Sequence, residues 1–163
     1  GLSSANLTEA NLTGADLTEA RLWGALFRDA NLSGSQLWRV DANGMAVTEV
    51  VPDLAWQHIG VTNFTGVNLT GAKISGNLWK ADFTGANLTE ADLGSAFLFE
   101  ANLTGANLTG TDLTRAILNA AALHEADLTE ANLATADLKG AFANTSTKWP
   151  ANFDPSSAGV IFN

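Results

Sequence analysis

The chain has 163 residues, enough for one domain, and a formal net charge of −9. With no cysteine, disulfides, thiolate catalysis and Cys-based metal sites are excluded. The acidic balance argues against sequence-independent binding to nucleic acid or to an anionic membrane. No apolar run reaches the length of a membrane span.

From Gly1 onward the chain repeats every five residues: Ala5-Asn6-Leu7-Thr8-Glu9, Ala10-Asn11-Leu12-Thr13-Gly14, Ala15-Asp16-Leu17-Thr18-Glu19. Five residues advance a helix by about 500°, so the leucines form no helical stripe. In a continuous strand the odd period sends successive leucines to opposite faces. A single apolar axis therefore requires one change of direction per pentad, which is a solenoid. The central Leu and the Ala two places before it point inward. The Asn or Asp before the Leu, and the Thr and Gly or Glu after it, face outward.

The first block, residues 1–42, keeps this register through Leu22, Phe27, Leu32, Leu37 and Ala42. Residues 43–61 drop it. Asn43-Gly44 is a turn signal, and Pro52 to Gly60 has room for one helical turn. Met45, Val47, Val50, Val51, Leu54, Trp56 and Ile59 are too apolar for a free linker, so this segment is expected to fold back as a flap. The second block, residues 62–143, resumes at Phe64, Leu69 and Ile74. It then loses one residue near Ser75-Gly76, since Leu78 follows Ile74 by four, and a tighter corner is expected there. The register then runs unbroken to Leu138 and Ala143.

Residues 144–163 leave the pattern again. Trp149, Phe153 and Ile161 are expected to cover the last leucine layer and its open strand edges as a cap. No matching cap precedes Leu2, so that end is expected to be extended by further residues, or to meet a partner or a second copy. A monomer, or a weak dimer through that end, follows.

The tandem A-(D/N)-L-x-x run resembles the pentapeptide-repeat family. The resemblance implies a right-handed quadrilateral β-helix with four pentads per coil. About 26 central residues then make six to seven coils, a tower ~30 Å tall. The T-K-W-P-x-x-F-D-P-x-x-A-G stretch from Thr147 is similar to the tail that often follows such repeats in cyanobacterial proteins. Many of those are exported, so the resemblance implies the thylakoid lumen or periplasm, with the cytoplasm the alternative.

No catalytic constellation emerges. The carboxylates before the central Leu (Asp16, Asp82, Asp92, Asp112, Asp127, Asp137) and at the last pentad position (Glu9, Glu19, Glu90, Glu100, Glu125, Glu130) read as a solvated face. His58 and His124 lack metal-ligand spacing and an orienting partner. No cofactor or metal is implied, and no enzyme activity. The outward aromatics carry the functional signal. Trp23, Trp38, Trp79 and Phe99 stand where Thr is usual, and Phe97 and Ile117 replace the outward Asn or Asp. Residues twenty apart share a side, so Trp79 lies beside Phe99 and Phe97 beside Ile117 in one apolar patch. Trp23 joins that side if residues 43–61 loop out, Trp38 if they replace a coil. Trp56 of the flap either joins the contact or covers it. The expected function is a protein-interaction module that uses this patch and the flap to bind a protein. The alternative, implied by the resemblance alone, is a DNA-mimicking regulator of gyrase, a type II topoisomerase.

Overall fold

Each pentad needs a corner, and the backbone supplies one of constant type. The N–H of Ala10 donates to the carbonyl of Leu7 at 3.0 Å, and that of Ala101 to Leu98 at 3.0 Å, closing a four-residue turn after each central residue. The third turn residue has positive φ, as in Gly14 (67°) and Gly105 (66°). Glu9 (59°), Glu90 (55°), Arg115 (59°) and Ala120 (55°) accept the same left-handed conformation without being glycine. The residue before the central Leu completes the corner. Asn6 Oδ1 accepts the Thr8 N–H (3.1 Å), and Asp82 Oδ1 accepts both the N–H (3.0 Å) and the hydroxyl (2.6 Å) of Thr84. These Asn and Asp side chains are turn acceptors. This corrects the reading of the carboxylates as a purely solvated face: Asp82, Asp92, Asp112 and Asp127 are half-buried.

The computed structural model describes residues 1–22, 24–41 and 62–163. Successive turns of the chain stack as parallel bridges in four columns, which define four sides. Side A runs Asp41, Asn77, Phe97, Ile117, Asp137. Side B runs Asn6, Leu26, Asn63, Asp82, Asn102, Ala122, Phe142. Side C runs Asn11, Asn31, Asn68, Asn87, Asn107, Asp127, Lys148, and side D runs Asp16, Gln36, Lys73, Asp92, Asp112, Asn132. Below the break partners are 20 apart or nearly so. Across it Leu26 pairs with Asn63 and Asn31 with Asn68. The chain therefore leaves side A after Asp41 and re-enters side B at Asn63, completing the same turn. The proposed flap, with Trp56 and His58, lies outside the described residues.

Two longer strands mark the irregularities. β1 (Gln36–Asp41) pairs in parallel with β2 (Lys73–Asn77), with a register shift between Leu37 and Val40. β1 has one residue more than β2. Where one residue is missing, Gly76 takes φ 110°, unlike the other corners, and β2 runs straight through. The expected tighter corner is instead an extended one.

The core is a column of side chains in which Leu22, Leu32, Leu88, Leu103 and Leu128 are fully buried, with alanines such as Ala81, Ala101 and Ala121 at the corners. On side B the rings of Phe27, Phe64 and Phe83 stack at centroid spacings of 5.1 and 4.7 Å. In the first turn Leu2, Leu7, Leu12 and Leu17 are only partly buried.

Past the repeats, Trp149 and Phe153 stack on each other at 5.4 Å and pack on the core. β3 (Phe142–Ala143) pairs in parallel with β4 (Ile161–Phe162). Here one expectation is corrected. Val160 is buried, and Ile161, paired with outward Phe142, is exposed, because inward and outward positions alternate along a strand.

Lys148 Nζ donates to Asp127 Oδ2 at 2.8 Å, tying this segment to side C. That ammonium first, then the Thr129 hydrogen bond, lowers the Asp127 carboxyl to about 2. The folded-state value is depressed, so the bond's contribution is complete above the ordinary carboxylate range and is lost as pH falls through about 2. The lysine is mostly exposed, which limits the contribution to under about 1 kcal/mol. Lys148→Ala should lower the melting temperature slightly at pH 6. The gap to the wild type should close as the scan descends through pH 4 to 2; a gap constant with pH would sink the assignment.

Candidate functional site

Two adjacent levels of side A depart from the turn chemistry, as Leu26, Ala122 and Phe142 do on side B. Phe97 and Ile117 stand in the column where Asn or Asp normally accepts a turn N–H, and neither has an oxygen to offer. Each therefore exchanges a hydrogen bond worth about 1 kcal/mol for an outward apolar group. Ile117 is 38% exposed. The rings of Phe97 and Phe99 flank one strand position and lie nearly parallel, 6.1 Å apart. Trp79 is half-buried one level away; the Lys80 N–H next to it donates to the Phe99 carbonyl at 3.0 Å, fixing the two rows against each other. Lys80 Nζ sits 4.7 Å from the centre of the Trp79 ring and 3.2 Å from Glu100 Oε2, which holds the indole in place.

Of the seven aromatic and aliphatic candidates, four (Trp79, Phe97, Phe99, Ile117) are thus on one side within three stacked turns. Trp23 and Trp56 lie outside the described residues. Trp38 belongs to β1, directly after Leu37 in register with Ile74, so its backbone stands at the corner after side D and not in the Trp79 row. The pairing of Gln36 with Lys73 and of Leu26 with Asn63 is the reason.

Charge is also unevenly placed. Among the side A residues whose side chains are described, the acids Glu100 and Asp137 stand with Arg21, Lys80 and Lys139. Side B sets Glu9, Asp29, Asp82 and Glu125 against Arg28, and side C sets Glu90, Asp127 and Glu130 against Lys148. Asp137 is held below the usual carboxylate range by the Asn119 side chain first, then by the Lys139 N–H.

Beside side A, the missing residue leaves a depression of about 610 Å³ lined by Ser75, Gly76, Asp92, Gly94, Ser95, Asp112, Thr114 and Arg115. Its carboxylates are engaged in turns, Asp92 with the Gly94 N–H (3.0 Å) and Asp112 with the Thr114 N–H (2.9 Å). Among the described residues no group of three His, Cys, Asp or Glu side chains is placed to hold a metal, and no helix is long and apolar enough to cross a membrane. His124 is half-buried and pairs with Asn163 Oδ1 at 2.7 Å.

The family profile of pentapeptide repeats matches in 8 copies, over residues 2–41, 62–105, 96–134 and 106–142. The chain belongs to the pentapeptide-repeat family. Its four bridged columns are the sides of that family's right-handed quadrilateral β-helix. Among solved pentapeptide-repeat structures, HetL, involved in heterocyst differentiation regulation in the cyanobacterium Nostoc sp. strain PCC 7120, is 27% identical. The match covers 99% of this chain and 86% of HetL, with a TM-score of 0.47. Rfr23 from the cyanobacterium Cyanothece 51142 is 25% identical over 85% of this chain and 87% of its own, with a TM-score of 0.40. QnrB1, a plasmid-mediated fluoroquinolone resistance protein, has a trypsin-treated structure 15% identical to this chain. That match covers 99% of this chain and 84% of the other, with a TM-score of 0.50, a likeness of fold alone. No curated protein matches the chain.

Proposed function

We propose that this pentapeptide-repeat protein is a non-enzymatic interaction scaffold whose contact surface is side A. The domain spans residues 1–163, a tower of roughly six to seven coils closed at its C-terminal end by the tail from Asn144. The observation that carries this reading is the placement of Phe97, Phe99 and Ile117. The fold favours Asn or Asp at positions 97 and 117, yet apolar groups stand there, on a side without the excess of acids of sides B and C in a chain of net charge −9. Aromatic residues without local repulsion are what protein contacts are built from.

The test is recovery of bound proteins with the wild type and with the Trp79→Ala/Phe99→Ala double variant. Loss of specific partners from the double variant is expected; identical partners would remove side A as the contact. A gyrase supercoiling assay separates this reading from DNA mimicry. Inhibition that survives the double substitution would shift the function to the acidic sides B and C.

A further inference from the structure

We propose that the depression at the corner between sides D and A binds a short neutral oligosaccharide, a site separate from the protein contact on side A.

One residue in it is not explained by the turns. The position after a central residue is most often Thr, whose hydroxyl closes the corner onto the Asn or Asp two places before it. Asp82 Oδ1 takes the N–H and hydroxyl of Thr84, and Asp112 Oδ1 takes those of Thr114 at 2.9 and 2.5 Å. Residue 94 holds the same place and is glycine. Its φ is not in the left-handed region, so the backbone does not require glycine there. A Cβ would stand 3.1 Å from Asp92 Oδ1 and 3.8 Å from the Thr114 carbonyl oxygen, room that a small shift of the Asp92 side chain completes. Asp92 Oδ1 therefore takes the Gly94 N–H at 3.0 Å and lacks the hydroxyl that a threonine would add. In the preceding level the missing residue leaves Ser75 and Gly76, also small. The two levels together open the depression of about 610 Å³, within the ~300–1,000 Å³ of small-molecule sites.

The lining selects a neutral, hydroxyl-rich ligand. Asp92 and Asp112 are half-buried, and each keeps a second carboxylate oxygen as an acceptor. Lys73 stands next to Asp92 in the side D column, and Arg115 is exposed at the lip. These two cations balance the two carboxylates, so neither an anion nor a cation is favoured. A sugar hydroxyl donates to a carboxylate and accepts from a guanidinium, which answers both. Phe97 follows Ser95 by two residues and Ile117 follows Arg115 by two, so side A gives the depression an apolar border. The C–H face of a sugar ring can lie against that border while its hydroxyl edge meets the polar lining. Hydrogen bonds made beside solvent have small net strength, so binding should be weak.

Amide NMR of the isotope-labelled full chain reads the site directly, with cellobiose, maltose, sucrose and diacetylchitobiose as probes at millimolar concentration. At least one should give saturable shifts at Gly76, Gly94, Ser95 and Arg115 and leave the side B corners at Gly66 and Gly85 in place. Gly94→Thr restores the residue that other corners carry. It should keep the melting temperature and abolish those shifts. Asp92→Asn keeps the turn acceptor and should weaken binding about tenfold. Absence of saturable shifts with all four sugars, shifts spread evenly over the four sides, or binding that survives Gly94→Thr would overturn the proposal. So would shifts at these amides from N-acetylarginine amide with none from the sugars, which would assign the carboxylates to a cation. Protein capture through side A is read separately, because Gly94→Thr leaves Trp79 and Phe99 unchanged.

Discussion

Phe64→Ala should cost about 3–5 kcal/mol of stability, the largest effect expected of any single substitution in this protein. Phe64 is fully buried between two other rings, 5.1 Å from Phe27 with planes 14° apart and 4.7 Å from Phe83 with planes 6° apart. Truncation removes a ring's volume from a column that cannot collapse, because the backbone levels above and below are fixed by their hydrogen bonds. Phe64 N–H donates to the Asp82 carbonyl at 2.7 Å and the Phe27 N–H to the Asn63 carbonyl at 2.8 Å. Two stacked aromatic pairs, each worth about 0.5–1.5 kcal/mol beyond area, are lost with it. Phe64→Leu should be milder, about 1–3 kcal/mol, since Leu103 and Leu123 occupy the same column lower down and show that the side accepts leucine. Denaturant unfolding of the three proteins gives the ordering. An Ala variant within about 1 kcal/mol of the wild type would mean the ring column is not part of the cooperative core.

Position adds to that cost. In a solenoid each turn of the chain contacts only its neighbours, so a cavity in one layer weakens two interfaces. Phe64 is two residues past the re-entry of the chain at Thr62, whose hydroxyl donates to the Leu22 carbonyl at 2.8 Å. Hydrogen exchange in Phe64→Ala should therefore speed up first at the amides of residues 26–32 and 63–69. Protection around Leu108 to Leu128 should change least.

The period of five was enough to place the central residues inward, because no regular helix or strand keeps them on one side. Corner alanines followed from the same argument. The conformation of the turns was less legible. Glycine recurs at the last pentad position, which signals positive φ, but Glu9, Glu90, Glu100, Glu125 and Glu130 share that conformation and disguise it as a choice between small and charged. The Asn/Asp alternation likewise reads as surface polarity until the oxygen is seen accepting the N–H two residues on; either residue supplies that oxygen. At the broken places, local pattern gave way to register. Whether Trp38 shares a side with Trp79 depends on the register of β1, and only the pairing of Gln36 and Leu37 with β2 decides it. Val160 and Ile161 are both apolar, so composition could not choose which one turns inward.

Ala106→Leu should cost about 1–3 kcal/mol although it adds apolar volume. Ala106 is 1% exposed at a corner, where the chain turns inward between one side and the next. Its column holds Ala86 and Ala126 directly above and below, bridged by the Asn87 and Asp127 levels, with the Asn107 N–H donating to the Ala86 carbonyl at 2.9 Å. The four central leucines of each level already fill the axis, so extra methylenes at a corner have only two ways to go. They can displace Leu103 or Leu108 from their rotamers, or push the corner outward and lengthen the interlevel hydrogen bonds. The same column contains Val67, also fully buried, two levels away. Ala106→Val is thus a size the corner is built to take, and it should cost less than about 1 kcal/mol. Buried Thr111 at the following corner, whose hydroxyl donates to the Leu88 carbonyl at 2.8 Å, makes the same point with a polar group. A melting-temperature series over Ala, Val and Leu at position 106 should therefore be nearly flat for the first step and fall sharply at the second. A monotonic rise with side-chain size would mean the corner is underpacked, and that alanine is set there by the turn and not by the space around it.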